Sequence, residues 1–299
     1  MTLFLQEVTK RFGNLTAVDQ LSLEIPEKEM FGFLGGNGAG KTTTFRMILG
    51  LLDITEGKIT WDGESIGYNK SHLIGYLPEE RGLYPKLRVD EQLVYLGKLH
   101  GMTKKEVLSE LSFWLERFKV PEYKEKKVEE LSKGNQQKIQ FISAVIHKPK
   151  LLILDEPFSG LDPINVELLK EAVIDMKEQG TSIVFSSHRM EHVEELCEHL
   201  CILQKGKQVV QGSLRDIKHS YGKKNLIIHA DFPLEFLQQY PGVVQFKKSV
   251  NGCELKIGSE DVAKSIFSAL EGKGFVRKFA IEEPSLNDIF IEKVGASYE

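Results

Sequence analysis

Long hydrophobic runs are missing from this chain of 299 residues. No stretch approaches the about 18 consecutive apolar residues that a membrane-spanning helix needs, so none is expected to cross a bilayer. The beginning, Thr2-Leu3-Phe4-Leu5-Gln6-Glu7, lacks a basic segment followed by an extended apolar core and does not read as a signal peptide. Cysteine is scarce. Cys197, Cys201 and Cys253 are odd in number and have no framework spacing, which argues against a disulfide scaffold and suits reduced thiols in a cytosolic protein. An excess of one charge is also lacking: 39 Lys and Arg against 43 Asp and Glu leave a formal net charge of −4, with the signs interspersed. Binding dominated by phosphate-backbone contacts is therefore disfavoured, and no nucleic-acid partner is expected. No internal repeat is visible, so one nucleotide-binding unit per chain is expected.

What is present begins with Gly35-Gly36-Asn37-Gly38-Ala39-Gly40-Lys41-Thr42, of the form G-x-x-x-x-G-K-[ST]. Such a loop wraps backbone N–H groups around a nucleoside triphosphate. The apolar run Met30–Leu34 reads as a buried strand feeding the loop, and Thr43–Leu49 as the helix leaving it. Phosphate then sits at a helix N-terminus, where unpaired amides and the helix dipole favour negative charge. Lys41 is placed to reach the β- and γ-phosphates, and the Thr42 hydroxyl to bind Mg²⁺.

Short alternating strands precede the loop, and Gly57–Gly63 reads as another strand between turns. From about Val89 to His147 the apolar spacing is helical. Strand and helix then alternate: Leu151–Leu154, Val166–Lys177, Thr181–Phe185, Met190–His199, Cys201–Leu203 and Val209-Val210. This order predicts an α/β fold with a largely parallel sheet flanked by helices. Cys197 and Cys201 fall four apart in or beside the last helical segment, with His199 between and His188 and His192 upstream. A metal site fits that spacing, although packing as small buried hydrophobes is the simpler reading. A boundary is expected near Gly212–Gly222. Beyond it, a strand pair around Asn251-Gly252 predicts a hairpin. A helix over 261–270, a strand over 275–281 and a last helix over 286–293 complete a small α+β domain.

The second chemical motif is Leu151-Leu152-Ile153-Leu154-Asp155-Glu156-Pro157. A buried parallel strand delivers two carboxylates at its C-terminal end, where open α/β sheets bind ligands. Successive strand residues point to opposite sides, so Asp155 is expected to face Mg²⁺ and Glu156 the γ-phosphate with its attacking water.

Leu131-Ser132-Lys133-Gly134-Asn135-Gln136-Gln137-Lys138, just before that strand, resembles the signature motif of ATP-binding cassette (ABC) ATPases, usually Leu-Ser-Gly-Gly-Gln. Ser159-Gly160-Leu161-Asp162 resembles the family's D-loop, and Ser186-Ser187-His188 its switch histidine. Phe12 stands where the family places an aromatic that stacks on adenine. These motifs, in the family's order, cover roughly residues 1–213. The resemblance implies a P-loop NTPase with a RecA-like core, an antiparallel β subdomain and a helical subdomain over about 85–148, followed by a small α+β domain over 222–299. It implies ATP and Mg²⁺ as cofactors, Gly35 to Thr43 as the nucleotide-binding loop, and Lys41, Glu156 and His188 as catalytic. Ser132, Lys133, Gly134 and Asn135 would contact ATP held by the opposite subunit.

Two motifs depart from the family pattern. Lys133 and Asn135 replace the usual glycine and glutamine, while Ser132 and Gly134 remain. In Gly75-Tyr76-Leu77-Pro78-Glu79-Glu80, Glu79 takes the place of a glutamine that binds Mg²⁺ and links the site to the membrane partner. The segment Arg81–Leu87 resembles the surface that receives a permease's coupling helix, and Ser285–Phe290 resembles the tail of exporter-type cassettes, sodium- and drug-efflux relatives among them. The function implied is the ATP-hydrolysing subunit of an export system. It would work with a separate transmembrane permease and a second cassette, a homodimer being the simpler case, on the cytoplasmic face of the cell membrane. The alternative is a soluble ABC-type ATPase with a regulatory or assembly role.

Overall fold

The computed structural model describes residues 2–66, 68–80 and 82–295; Arg81, expected to help receive a coupling helix, lies outside them. The chain forms two compact units, Met1–Gln211 and Gly212–Glu299.

The first unit begins with β1 (Leu3–Phe12), β2 (Leu15–Ile25), β3 (Met30–Leu34), α1 (Lys41–Ile48), β4 (Glu56–Trp61), β5 (Glu64–Ser65) and β6 (Ile74–Leu77). Three helices follow, α2 (Val89–Leu99), α3 (Lys104–Arg117) and α4 (Lys133–Val145). Then come β7 (Leu151–Asp155), α5 (Pro163–Glu178), β8 (Ser182–Ser187), α6 (Met190–Leu196), β9 (His199–Gln204) and β10 (Lys207–Ser213). One sheet has the order β2-β1-β4-β5, and its pairs are antiparallel. A second has the order β10-β9-β3-β8-β7-β6, with β9, β3, β8, β7 and β6 parallel. Every residue of β3 and of β7 is buried, which is why both read as continuous apolar runs rather than alternating ones. Phe31 and Phe33 of β3, Phe45 of α1 and Trp61 of β4 share one core that joins the two sheets. The parallel strands end together, so Leu34 and Asp155 deliver the phosphate loop and the carboxylates at the same edge.

The second unit contains α7 (Leu214–Ser220), β11 (Lys224–Ala230), β12 (Val243–Ser249), β13 (Gly252–Ile257), α8 (Glu260–Leu270), β14 (Val276–Glu282) and α9 (Leu286–Phe290). Its antiparallel sheet has the order β12-β13-β11-β14. Leu226, Ile228, Leu255 and Ile257 pack on Ala263, Ile266 and Leu270 of α8.

Three local readings change. The segment read as a boundary contains α7, whose N-cap Ser213 accepts a hydrogen bond from the Asp216 amide. Helix α6 stops at Leu196, because β9 pairs with β3 from His199 onward and that ladder overrides the helical spacing. Cys201 is therefore a strand residue in the core, and burial pushes the Cys197 and Cys201 thiols above their usual range, so neither is disposed to serve as a thiolate ligand. The hairpin forms, but Ser249 pairs with Gly252, so its two-residue loop is Val250-Asn251. Gly252 serves a different need: a Cβ there would lie 1.9 Å from the Ile228 carbonyl oxygen across the sheet.

Candidate nucleotide site

Strand β3 ends in the loop that precedes α1, and Gly40 is the N-cap of that helix with φ 106. Only glycine adopts this conformation freely, and a Cβ would lie 2.7 Å from the Ala17 carbonyl oxygen. No side chain caps α1, so its first amides remain available to an anion. The buried Lys41 turns back on its own loop and donates to the carbonyls of Gly35 at 2.7 Å and Gly36 at 3.3 Å.

The next residue joins the loop to β7. The Thr42 hydroxyl donates to Asp155 Oδ2 at 2.7 Å. Asp155 Oδ1 accepts from the Ser186 hydroxyl at 2.6 Å, and Ser186 Oγ in turn accepts the Glu156 amide at 3.0 Å. Strand alternation alone would send the Glu156 side chain away from Asp155. The structure instead gives Glu156 a left-handed backbone, φ 52, which turns it into the same cleft. A non-glycine residue held there stores on the order of 1–3 kcal/mol. His188 Nδ1 lies 2.8 Å from Glu156 Oε2. On β6, burial and then the Asp155 charge push the Tyr76 phenol up to about 12.

A cleft of ≈ 1160 Å³ gathers Gly36 to Thr43, Glu79, Asp155, Glu156 and His188, with Phe12 at its rim. Phe12 is 47% exposed, and Lys10 Nζ sits 5.0 Å from its ring centre, leaving ring surface open to a planar base. Thr42 and Asp155 converge as oxygen donors, with Glu79 on the same cleft. Hard oxygen donors in small number suit Mg²⁺, whose remaining positions go to water and phosphate.

Ser132, Lys133, Gly134, Asn135 and Asp162 do not line this cleft. Ser132 is the N-cap of α4 and accepts the Asn135 amide at 3.4 Å. Asp162 is the N-cap of α5 and accepts the Asn165 amide at 3.0 Å; hydrogen bonds from Asn165 hold its carboxyl below the usual range. The Asn165 side chain also donates to Asp162, and its nitrogen lies 3.1 Å from where a Gly134 Cβ would stand. The signature and the D-loop thus touch through a residue the sequence did not single out.

Two further residues escaped the sequence reading. Ser186 reads as strand filler, yet it fixes both Asp155 and Glu156. Gln140, buried on α4, donates from Nε2 to the carbonyls of Pro78 at 3.2 Å and Glu80 at 3.1 Å, bracketing Glu79. Ser186 falls inside the Ser186-Ser187-His188 motif, where only His188 was singled out, and Gln140 has no local motif; each acquires its role from a neighbour remote in sequence.

Residues 18–159 match the family described as ABC transporter, and residues 212–294 match the ATP-binding protein DrrA1-3-like C-terminal domain. The chain is 68% identical over 297 residues to the ABC transporter ATP-binding protein YhaQ of Bacillus subtilis, covering 99% of this chain and 100% of that one. It is 32% identical over 301 residues to the Nod factor export ATP-binding protein I of Cupriavidus metallidurans, covering 99% and 98%. A solved ATP-binding subunit of an ABC transporter superposes with a TM-score of 0.69 at 28% identity, covering 74% of this chain and 94% of that one. With the phosphate loop, the paired carboxylates and the histidine assembled on one cleft, the chain belongs to the ABC transporter ATP-binding proteins, the ATP-hydrolysing subunits of transport systems.

Proposed function

We propose that the chain drives export through a separate membrane permease, and that two copies close head to tail over two ATP molecules. The observation that carries this reading is the division of the site. Lys41, Asp155, Glu156 and His188 share a cleft that Ser132 and Gly134 do not line. A second cassette supplies the missing contacts, each copy giving and receiving the same surfaces. Likeness to a Nod factor export protein supports the outward direction.

Lys41 exchanges its loop carbonyls for the β- and γ-phosphates, and the free amides of α1 add to the cradle. Phe12 stacks on adenine, a contact of about 1–3 kcal/mol for a base on an aromatic ring. Thr42, Asp155 and Glu79 would hold Mg²⁺, which would supply charge neutralisation to the triphosphate. Glu156 orients and deprotonates the attacking water, while His188, already within 2.8 Å of Glu156, contacts the γ-phosphate. Ser132, Lys133, Gly134 and Asn135 of the opposing copy close over that phosphate, and Asp162 lies at the seam.

No helix among the described residues is long and apolar enough to cross a membrane, so attachment to the cytoplasmic face falls to the permease. Co-expression with a candidate permease of about six membrane-spanning segments, followed by affinity capture from membranes, tests the assignment. Stoichiometric recovery with ATPase activity that responds to an exported compound is expected. Failure to associate with any such partner would overturn it.

A further inference from the structure

The sheet of the second unit ends on β14, which pairs with β11 on one side and has no strand on the other among the described residues. We propose that this edge pairs with β14 of a second copy, antiparallel, about a two-fold axis through Ala280. A two-fold perpendicular to a sheet preserves its faces, so one strand must be complementary to itself when reversed. In this register Ala280 faces Ala280, Phe279 faces Ile281, Lys278 faces Glu282 and Arg277 faces Glu283 of the second copy. Four opposite-charge pairs and three apolar pairs result, with no like charges opposed.

The surroundings favour this occupant. Phe279 meets Phe267 of α8 edge to face, with ring centres 5.0 Å apart. Phe267 is 59% exposed and Ile281 42% exposed, on the face that Phe279 shares with the core. Pairing the edges would extend that apolar layer into the second copy. Lys278 Nζ lies 3.3 Å from its own Glu282, so formation of the dimer exchanges an exposed pair within the strand for pairs between copies. The opposite edge, β12, is built differently. Its register with β13 shifts between Val243 and Gln245, and it carries Lys247 and Lys248 with no acid in the strand. Lysines concentrated on an edge strand are one way natural sheets keep that edge unpaired, and here they pair with acids outside the strand, Lys247 with Glu254 at 4.0 Å and Lys248 with Glu235 at 2.5 Å. β14 holds regular register with β11 from Asn225–Glu282 to His229–Lys278, shifts only beyond that stretch, between His229 and Ala230, and carries both signs at matched spacing.

Sedimentation equilibrium of the full chain without nucleotide or Mg²⁺ isolates this contact from closure over ATP. An edge of seven residues buries little area, so a weak dimer is expected, measurable at about 100 µM chain. Lys278→Glu should weaken the dimer at least about tenfold, and Lys278→Glu combined with Glu282→Lys should restore it to within about threefold. Ala280→Cys should oxidise to a linked dimer, against a wild type whose three cysteines are buried and unlinked. A monomer at all concentrations, or equal behaviour of the single and charge-swapped variants, would overturn the proposal.

Discussion

The Ser186 hydroxyl donates to Asp155 at 2.6 Å and accepts the Glu156 amide, so one side chain from β8 fixes the Asp155 carboxylate and the Glu156 backbone at the end of β7. Ser186→Ala leaves a buried carboxylate oxygen and a buried amide without this partner. Stability should fall by about 1–3 kcal/mol, the usual penalty for stranding buried polar groups. ATP turnover should fall further than ATP affinity, because the aim of Glu156 is lost while the phosphate loop is untouched. Denaturant titration beside separate Kd and kcat measurements checks this; a change in Kd alone would contradict it.

Glu156→Gln keeps the hydrogen-bonding size of the side chain and removes its basicity. Hydrolysis should drop on the order of 10²-fold or more, the range of a general base, with ATP retained and a nucleotide-dependent dimer accumulating. Gel filtration with radiolabelled ATP reads both. Normal turnover would remove Glu156 from the mechanism.

Glu79 brings a third carboxylate to a cleft that already holds Asp155 and Glu156. Glu79→Gln should weaken the Mg²⁺ dependence of ATPase activity and alter its pH profile. A matrix of Mg²⁺ concentration against pH tests the role, and unchanged curves would refute it.

His147 stacks on His100 with ring centres 3.8 Å apart and planes at 10°. Its Nε2 donates to the Ile74 carbonyl at 3.1 Å, leaving Nδ1 buried without a partner. Burial first, then the His100 charge, pushes its pKa from 6.5 down to about 4. The unfolded chain therefore binds a proton at this site that the folded chain refuses. Stability should decline as pH falls from 6.5 toward 4, by up to about 3 kcal/mol. His147→Phe preserves the stacking and should flatten that part of the stability curve. Denaturant melts at pH 7, 6 and 5 decide the matter; an unchanged slope would place its origin elsewhere.

The local pieces of the site were legible in sequence because each carries its own backbone requirement. Gly40 must adopt φ 106 beside Ala17, and Ser132 and Asp162 must cap helices, so residue type and position are tied. The apolar runs of β3 and β7 announced themselves for the same reason. Contacts made across the fold were not legible. Glu156 was placed by simple alternation, but the chain turns left-handed there. The helical reading of Met190–His199 ran too far, because the β3 ladder claims the chain from His199 onward. Gln140 sits on an ordinary-looking helix face, and only its approach to Pro78 and Glu80 gives it a task. Asn251-Gly252 pointed to a hairpin, while the need for Gly252 came from the neighbouring strand.

Lys41 is bonded to Gly35 and Gly36, and Thr42 to Asp155, before any ligand contributes. A phosphate therefore enters by exchange, and each contact it makes is worth only the difference between new and old partners. A lone orthophosphate, reaching one of these groups, gains little from the exchange. A triphosphate replaces both sets together and collects the amides of α1 as well. On the proposed reading, the resting geometry thus favours a polyphosphate chain long enough to span the loop over the small anions abundant in any cell.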